Sequence, residues 1–219
     1  MSASAPASFP AEPSAARGRP VTDALRQQVV ADIPEINEIR DDDLRAKVIE
    51  AWAFSLAGSS YESVRQMPAC GVPGDLEAYS GDQSDHVRGV TRLAMKMADD
   101  FTENFPNVKI DRDLLIAGAI CHDIGKPWEF DPVNRARWAA SQHTGRPAIR
   151  HPAYGVHICL SVGLPEEVAH MAACHSAEGE LVVRSLENTI VQHVDHAYWK
   201  VLVAADQVKP ETIPASWRR

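Results

Sequence analysis

A histidine and an aspartate stand side by side at His122-Asp123, directly after the apolar run Leu114-Leu115-Ile116-Ala117-Gly118-Ala119-Ile120-Cys121. That order sets an imidazole and a carboxylate at the end of a buried helix, on the edge of a core. A buried carboxylate is costly unless it is paired or bound to a cation. Imidazole nitrogen and carboxylate oxygen together suit divalent iron, manganese, cobalt or zinc better than calcium or magnesium. The chemistry to expect is that of a bound metal ion. Ile124-Gly125-Lys126 follows. Gly125 reads as the turn that closes the helix. Lys126, on its flexible stem, then either reaches the site or caps the helix end.

The rest of the chain must supply the elements that position such a pair. Its 219 residues, 45% hydrophobic and 24% charged, have room for one domain with a sizeable core. Residues 1–20, rich in Ala, Ser and Pro, read as a disordered tail, and 21–219 as a single helical domain. The net charge of −8 argues against general nucleic-acid binding, which needs a basic surface. No apolar run reaches a membrane-spanning length, and the N-terminus has no apolar core of the secretion-signal type, so a cytoplasmic protein with no membrane contact is expected. Cys70, Cys121, Cys159 and Cys174 form no CxxC pair and read as small core residues.

Helical signals dominate from Thr22, and no run alternates as a strand would, so the chain reads as all-α. Asp41-Asp42-Asp43 suits a helix start, the helix running to about Ala57. Gly71, Pro73 and Gly74 mark a loop. Over 84–102, His86, Val90, Leu93, Ala94, Met97 and Phe101 share a helix face. Over 165–175, Pro165 opens a helix in which Val168, Met171, Ala172 and His175 share a face. Over 186–204 the shared residues are Val191, Asp195, Tyr198 and Leu202. An aspartate in that stripe needs a metal or a strong donor beside it.

The string HDIGK at 122–126, with His86 upstream and His151, His175 and Asp195 downstream, resembles the HD-domain superfamily of metal-dependent phosphohydrolases. The resemblance covers about residues 80–205. Its order, H…HD…H…H…D, resembles the two-metal branch. It implies a helical bundle with a binuclear metal site in its centre. It also implies that His86, His122, Asp123 and Asp195 hold one metal and that Asp123 bridges to a second held by His151 and His175. Iron or manganese would be the first choice for this pair of divalent ions, with zinc or cobalt as further options. The resemblance further implies catalytic roles for Asp123 and Lys126, with a metal-bound hydroxide as the expected nucleophile towards the phosphorus of a phosphate ester. His143, His157, His170, His193 and His196 have no slot in the pattern. They read as surface or supporting groups, with His196 the candidate to orient a ligand.

From Ile124 to Arg150, Lys126, Arg135, Arg137, Arg146 and Arg150 outnumber Glu129 and Asp131, and Trp128, Phe130 and Trp138 lie among them. This cationic stretch starts and ends at pattern residues, so it is expected to lie over the site and to receive a small anionic substrate. Lys126, Arg146 and Arg150 are its substrate-binding candidates; a homo-oligomer is also possible for such a chain. The position after His175 is Ser176 and no GYP follows, unlike the cyclic-dinucleotide phosphodiesterases of the superfamily. The same six residues also resemble the mixed-valent di-iron oxygenases, which cleave C–C or C–P bonds with dioxygen. A third reading is an inactive HD fold that serves as a binding module.

Overall fold

The structure, a computed structural model, describes residues 18–138 and 148–217. Most of the expected tail, His143 and Arg146 lie outside the described residues, as do the side chains of Arg137 and Trp138. Arg19, assigned to the tail on composition, is anchored: its amide donates to Ala57 O at 2.8 Å.

The described residues form helices and no strand, as the all-α reading expects; pairing is confined to isolated bridges. The helices are α1 (Asp23–Asp32), α2 (Asp42–Ala57), α3 (Gln83–Asn104), α4 (Arg112–Cys121), α5 (Lys126–Phe130), α6 (Pro132–Trp138), α7 (His151–Ser161), α8 (Glu166–Cys174) and α9 (Leu186–Ala204). Polar residues set where they start. Asp41 Oδ1 accepts from Leu44 N at 2.9 Å to cap α2, and Asp82 and Asp85 close a capping box on α3. Ser185 caps α9.

Helix α4 is the axis of the assembly. Leu115 to Cys121 are all buried, and α2, α3, α8 and α9 pack around it. A helix apolar on every side must be enclosed in this way. Gly118 permits the close approach of α8: a Cβ there would stand 2.2 Å from Met171 Sδ. On α3 the observed stripe is turned from the expected one. His86, Val90 and Ala94 are buried, but Val87, Thr91 and Ala98 complete the inner face, while Leu93 and Phe101 are 43% and 42% exposed. Apolar type alone had placed those two inside. The packing elements, chiefly α4 and α9, leave the side carrying Leu93 and Phe101 open.

At its C-terminus α4 unwinds into the turn His122–Gly125. Helix α2 takes up the carbonyls this frees. Trp52 Nε1 donates to Ile120 O at 3.1 Å, and Ser55 Oγ to Ile124 O at 2.6 Å. Lys126 does not cap α4, as one reading of the sequence had it. It opens α5, and its ammonium turns away to Cys70 O at 2.8 Å.

Candidate metal centre

Five elements bring the six pattern residues together. His86 lies in the first turn of α3, His122 and Asp123 in the turn after α4, His151 at the start of α7, His175 just past α8, and Asp195 in mid-α9. All six are buried. They form two groups, His86/His122/Asp195 and Asp123/His151/His175, and in each the potential donor atoms lie within 4.8 Å of one another.

The outer bonds of the rings determine what the inner nitrogens offer. A carbonyl can only accept, so His122 Nδ1, 2.6 Å from Ala119 O, carries the proton. The same holds for His175 Nδ1, 3.0 Å from Ala172 O. His151 Nδ1 donates to the Glu129 carboxylate. Burial lowers the His151 pKa, against the pull of Glu129 and Asp123. With Nδ1 so engaged, Nε2 is the nitrogen that each of the three rings turns inward. His151 and His175 Nε2 stand 3.3 Å apart, and His86 and His122 Nε2 3.2 Å apart. Asp195 Oδ1 is buried with no hydrogen-bond donor. Ring nitrogens this close to one another, beside a buried carboxylate oxygen without a hydrogen bond, are a donor set for a divalent cation. The donor set fits divalent metal.

Asp123 spans the two groups. Its Oδ2 lies 3.1 Å from His86 Nε2 and 3.2 Å from His122 Nε2, and its Oδ1 lies 3.3 Å from His151 Nε2 and 3.6 Å from His175 Nε2. Burial opposes its ionisation, but Lys126, foremost among its neighbours, holds it well below the usual carboxylate range. Lys126 Nζ is 2.7 Å from Asp123 Oδ2 and only 2% of the residue is exposed.

Two further side chains enter the site that the sequence reading passed over. Gln83 Nε2 donates to Asp123 Oδ2 at 2.8 Å, and Gln83 Oε1 faces Lys126 Nζ at 3.4 Å. Glu129, fully buried, accepts from His151, and its Oε1 lies 2.6 Å from Arg150 Nε. The available signal for Glu129 was a charged residue between Trp128 and Phe130, both buried here. Those two rings belong to the interior, Trp128 stacking on Tyr154 with centroids 4.7 Å apart.

Of the histidines outside the pattern, His196 is exposed and meets the Trp217 ring edge-on, away from the six. The rings of His122, His175 and His151 are oriented instead by Ala119 O, Ala172 O and Glu129. The four cysteines are free and buried, as expected.

The profile of the HD domain family matches residues 84–198, a span that holds all six residues. This chain belongs to the HD domain family. It is also similar to the dihydroneopterin 2',3'-cyclic phosphate phosphodiesterase of Methanocaldococcus jannaschii. The two are 31% identical over 170 residues, which is 75% of this chain and 66% of the relative's length. No solved structure matches. No helix among the described residues is long and apolar enough to cross a membrane.

Proposed function

We propose that this protein is a metal-dependent phosphohydrolase. His86, His122, Asp123 and Asp195 would hold one divalent cation, and Asp123, His151 and His175 a second. The observation that carries this reading is the division of Asp123, with one oxygen towards each histidine pair. A carboxylate so placed can serve two cations at once. Iron or manganese fits the mixed nitrogen and oxygen donors. When bound, such a pair supplies an acidified water and a Lewis acid for phosphoryl oxygens.

The chain's own residues supply the rest. Ala119 O, Ala172 O and Glu129 engage Nδ1 of the three rings and so orient Nε2 towards the site. Lys126 and Gln83 both hold Asp123 at Oδ2. Lys126 is the nearest cation for an anionic substrate, with Arg150, at the rim, as a second contact and Arg146 as a third. The relative's activity on a cyclic phosphate ester supports a small phosphate ester as substrate here.

Anaerobic purification with elemental analysis, followed by assays on bis-(p-nitrophenyl) phosphate and a 2',3'-cyclic nucleotide, tests this. Two metals per chain and hydrolysis without dioxygen, with iron and with manganese, are expected. Activity that needs iron and dioxygen together would instead assign the chain to the oxygenases. Metal binding without turnover of any phosphate ester would favour the binding module.

A further inference from the structure

The three histidines whose Nδ1 partner is fixed are not supported alike. His122 and His175 each donate Nδ1–H to a backbone carbonyl, a neutral acceptor that α4 and α8 provide at their own ends. His151 donates to a carboxylate. The fold has no evident need of a charge there. Glu129 is fully buried within the short α5, and burying a carboxylate is costly. A neutral side chain of the same shape would fill the space. Both of its oxygens are nonetheless engaged, one by His151 Nδ1 and Oε1 by Arg150 Nε at 2.6 Å.

Arg150 completes the arrangement. It immediately precedes His151 and is the N-cap residue of α7. Its Nε meets Glu129 Oε1 at 2.6 Å, and its other end lies 3.9 Å from Glu178, in the 3-10 turn Ala177–Leu181 just after His175. One chain of charges, Glu129–Arg150–Glu178, thus runs from α5 past His151 to the segment that follows His175. Among the described residues, no hydrogen bond or ion pair of this network reaches His86, His122 or Asp195.

We propose that Glu129, which has no place in the family pattern, is the positioning residue of one metal subsite only, the one formed by Asp123, His151 and His175. An anionic acceptor fixes the His151 tautomer and ring angle, and makes Nε2 a stronger donor than a carbonyl would. Arg150 keeps that anion in place and offsets its charge. The inference rests on the two-metal reading given above.

The test titrates metal-free full-length protein with cobalt(II) alone, followed by visible absorption and calorimetry. Wild type should take two equivalents. Glu129→Gln keeps the shape and removes the charge. It should take the first equivalent with unchanged affinity and the second about 10–100-fold more weakly. Arg150→Gln, at a partly exposed position, should weaken the same equivalent by a smaller factor, and it carries the test if Glu129→Gln does not fold. Equal weakening of both equivalents, or an unchanged second one, overturns the role of Glu129. Fewer than two equivalents in wild type would instead overturn the two-metal reading, and this inference with it.

Discussion

Asp123 is the side chain on which both groups of donors depend. Asp123→Ala is expected to release both metals on dialysis, as read by elemental analysis. His175→Ala should keep the first metal and lose most turnover. Two tightly held metals in Asp123→Ala would sink the bridging role. Lys126 works against the same carboxylate. Lys126→Met leaves Asp123 without its buried counter-charge when metal is absent. Breaking a buried pair from one side costs about 3–5 kcal/mol. In a chain of this size that lowers the melting temperature of metal-free protein by roughly 6–20 °C. If Lys126 also contacts substrate, metal-loaded Lys126→Met loses about one to two orders of magnitude in kcat/KM. Normal kinetics in the loaded variant would restrict Lys126 to Asp123. The six pattern residues were legible because order and residue type are properties of the sequence. Gln83 and Glu129 were not, because each acts through a partner 40 or 22 residues away, and that separation is closed only by the fold.

Helix ends bring the site together, and two glycines measure how closely. A Cβ on Gly125 would lie 2.1 Å from His151 O and 2.8 Å from its Cα, atoms of backbone that cannot step aside. A Cβ on Gly118 would meet Met171 Cε and Sδ at 2.0 and 2.2 Å, the far end of a flexible side chain. Gly118→Ala should therefore cost about 1–3 kcal/mol and retain both metals. Gly125→Ala should cost more and push the start of α7 away from Asp123, weakening the second metal. Urea titration with metal analysis on both variants checks the contrast; equal stability losses with both metals retained would refute it. At this scale α2, α3, α8 and α9 were readable because each shows caps or a sustained 3.6-residue period. The short α5 and α6, of 5 and 7 residues, hold too few turns for any period to show. The segment containing them read only as a stretch of charge.

Across the whole molecule, metal and fold should stabilise one another. Each cation bound at about 100 times its Kd adds about 2.7 kcal/mol to unfolding. Chelation should lower the melting temperature and added manganese should restore it; a transition indifferent to both would contradict the site. The bonds from Trp52 and Ser55 to Ile120 O and Ile124 O have a consequence of their own. Both donors lie on α2, before the span that matches the HD profile. The main apolar cluster likewise runs from Leu25 and Val29 through Trp52 and Leu56 to Ile116, Ile124 and Ile158. The segment that kinship recognises is therefore not one that can stand alone. Excised as residues 84–198, it would expose one side of α4 to water and leave the His122-Asp123 turn without its fasteners. That fragment should show no cooperative melting and should hold no metal after gel filtration, whereas 18–217 should melt cooperatively and retain metal. Grafting this centre into another scaffold would mean carrying α2 along with it, although α2 contributes no atom to the chemistry.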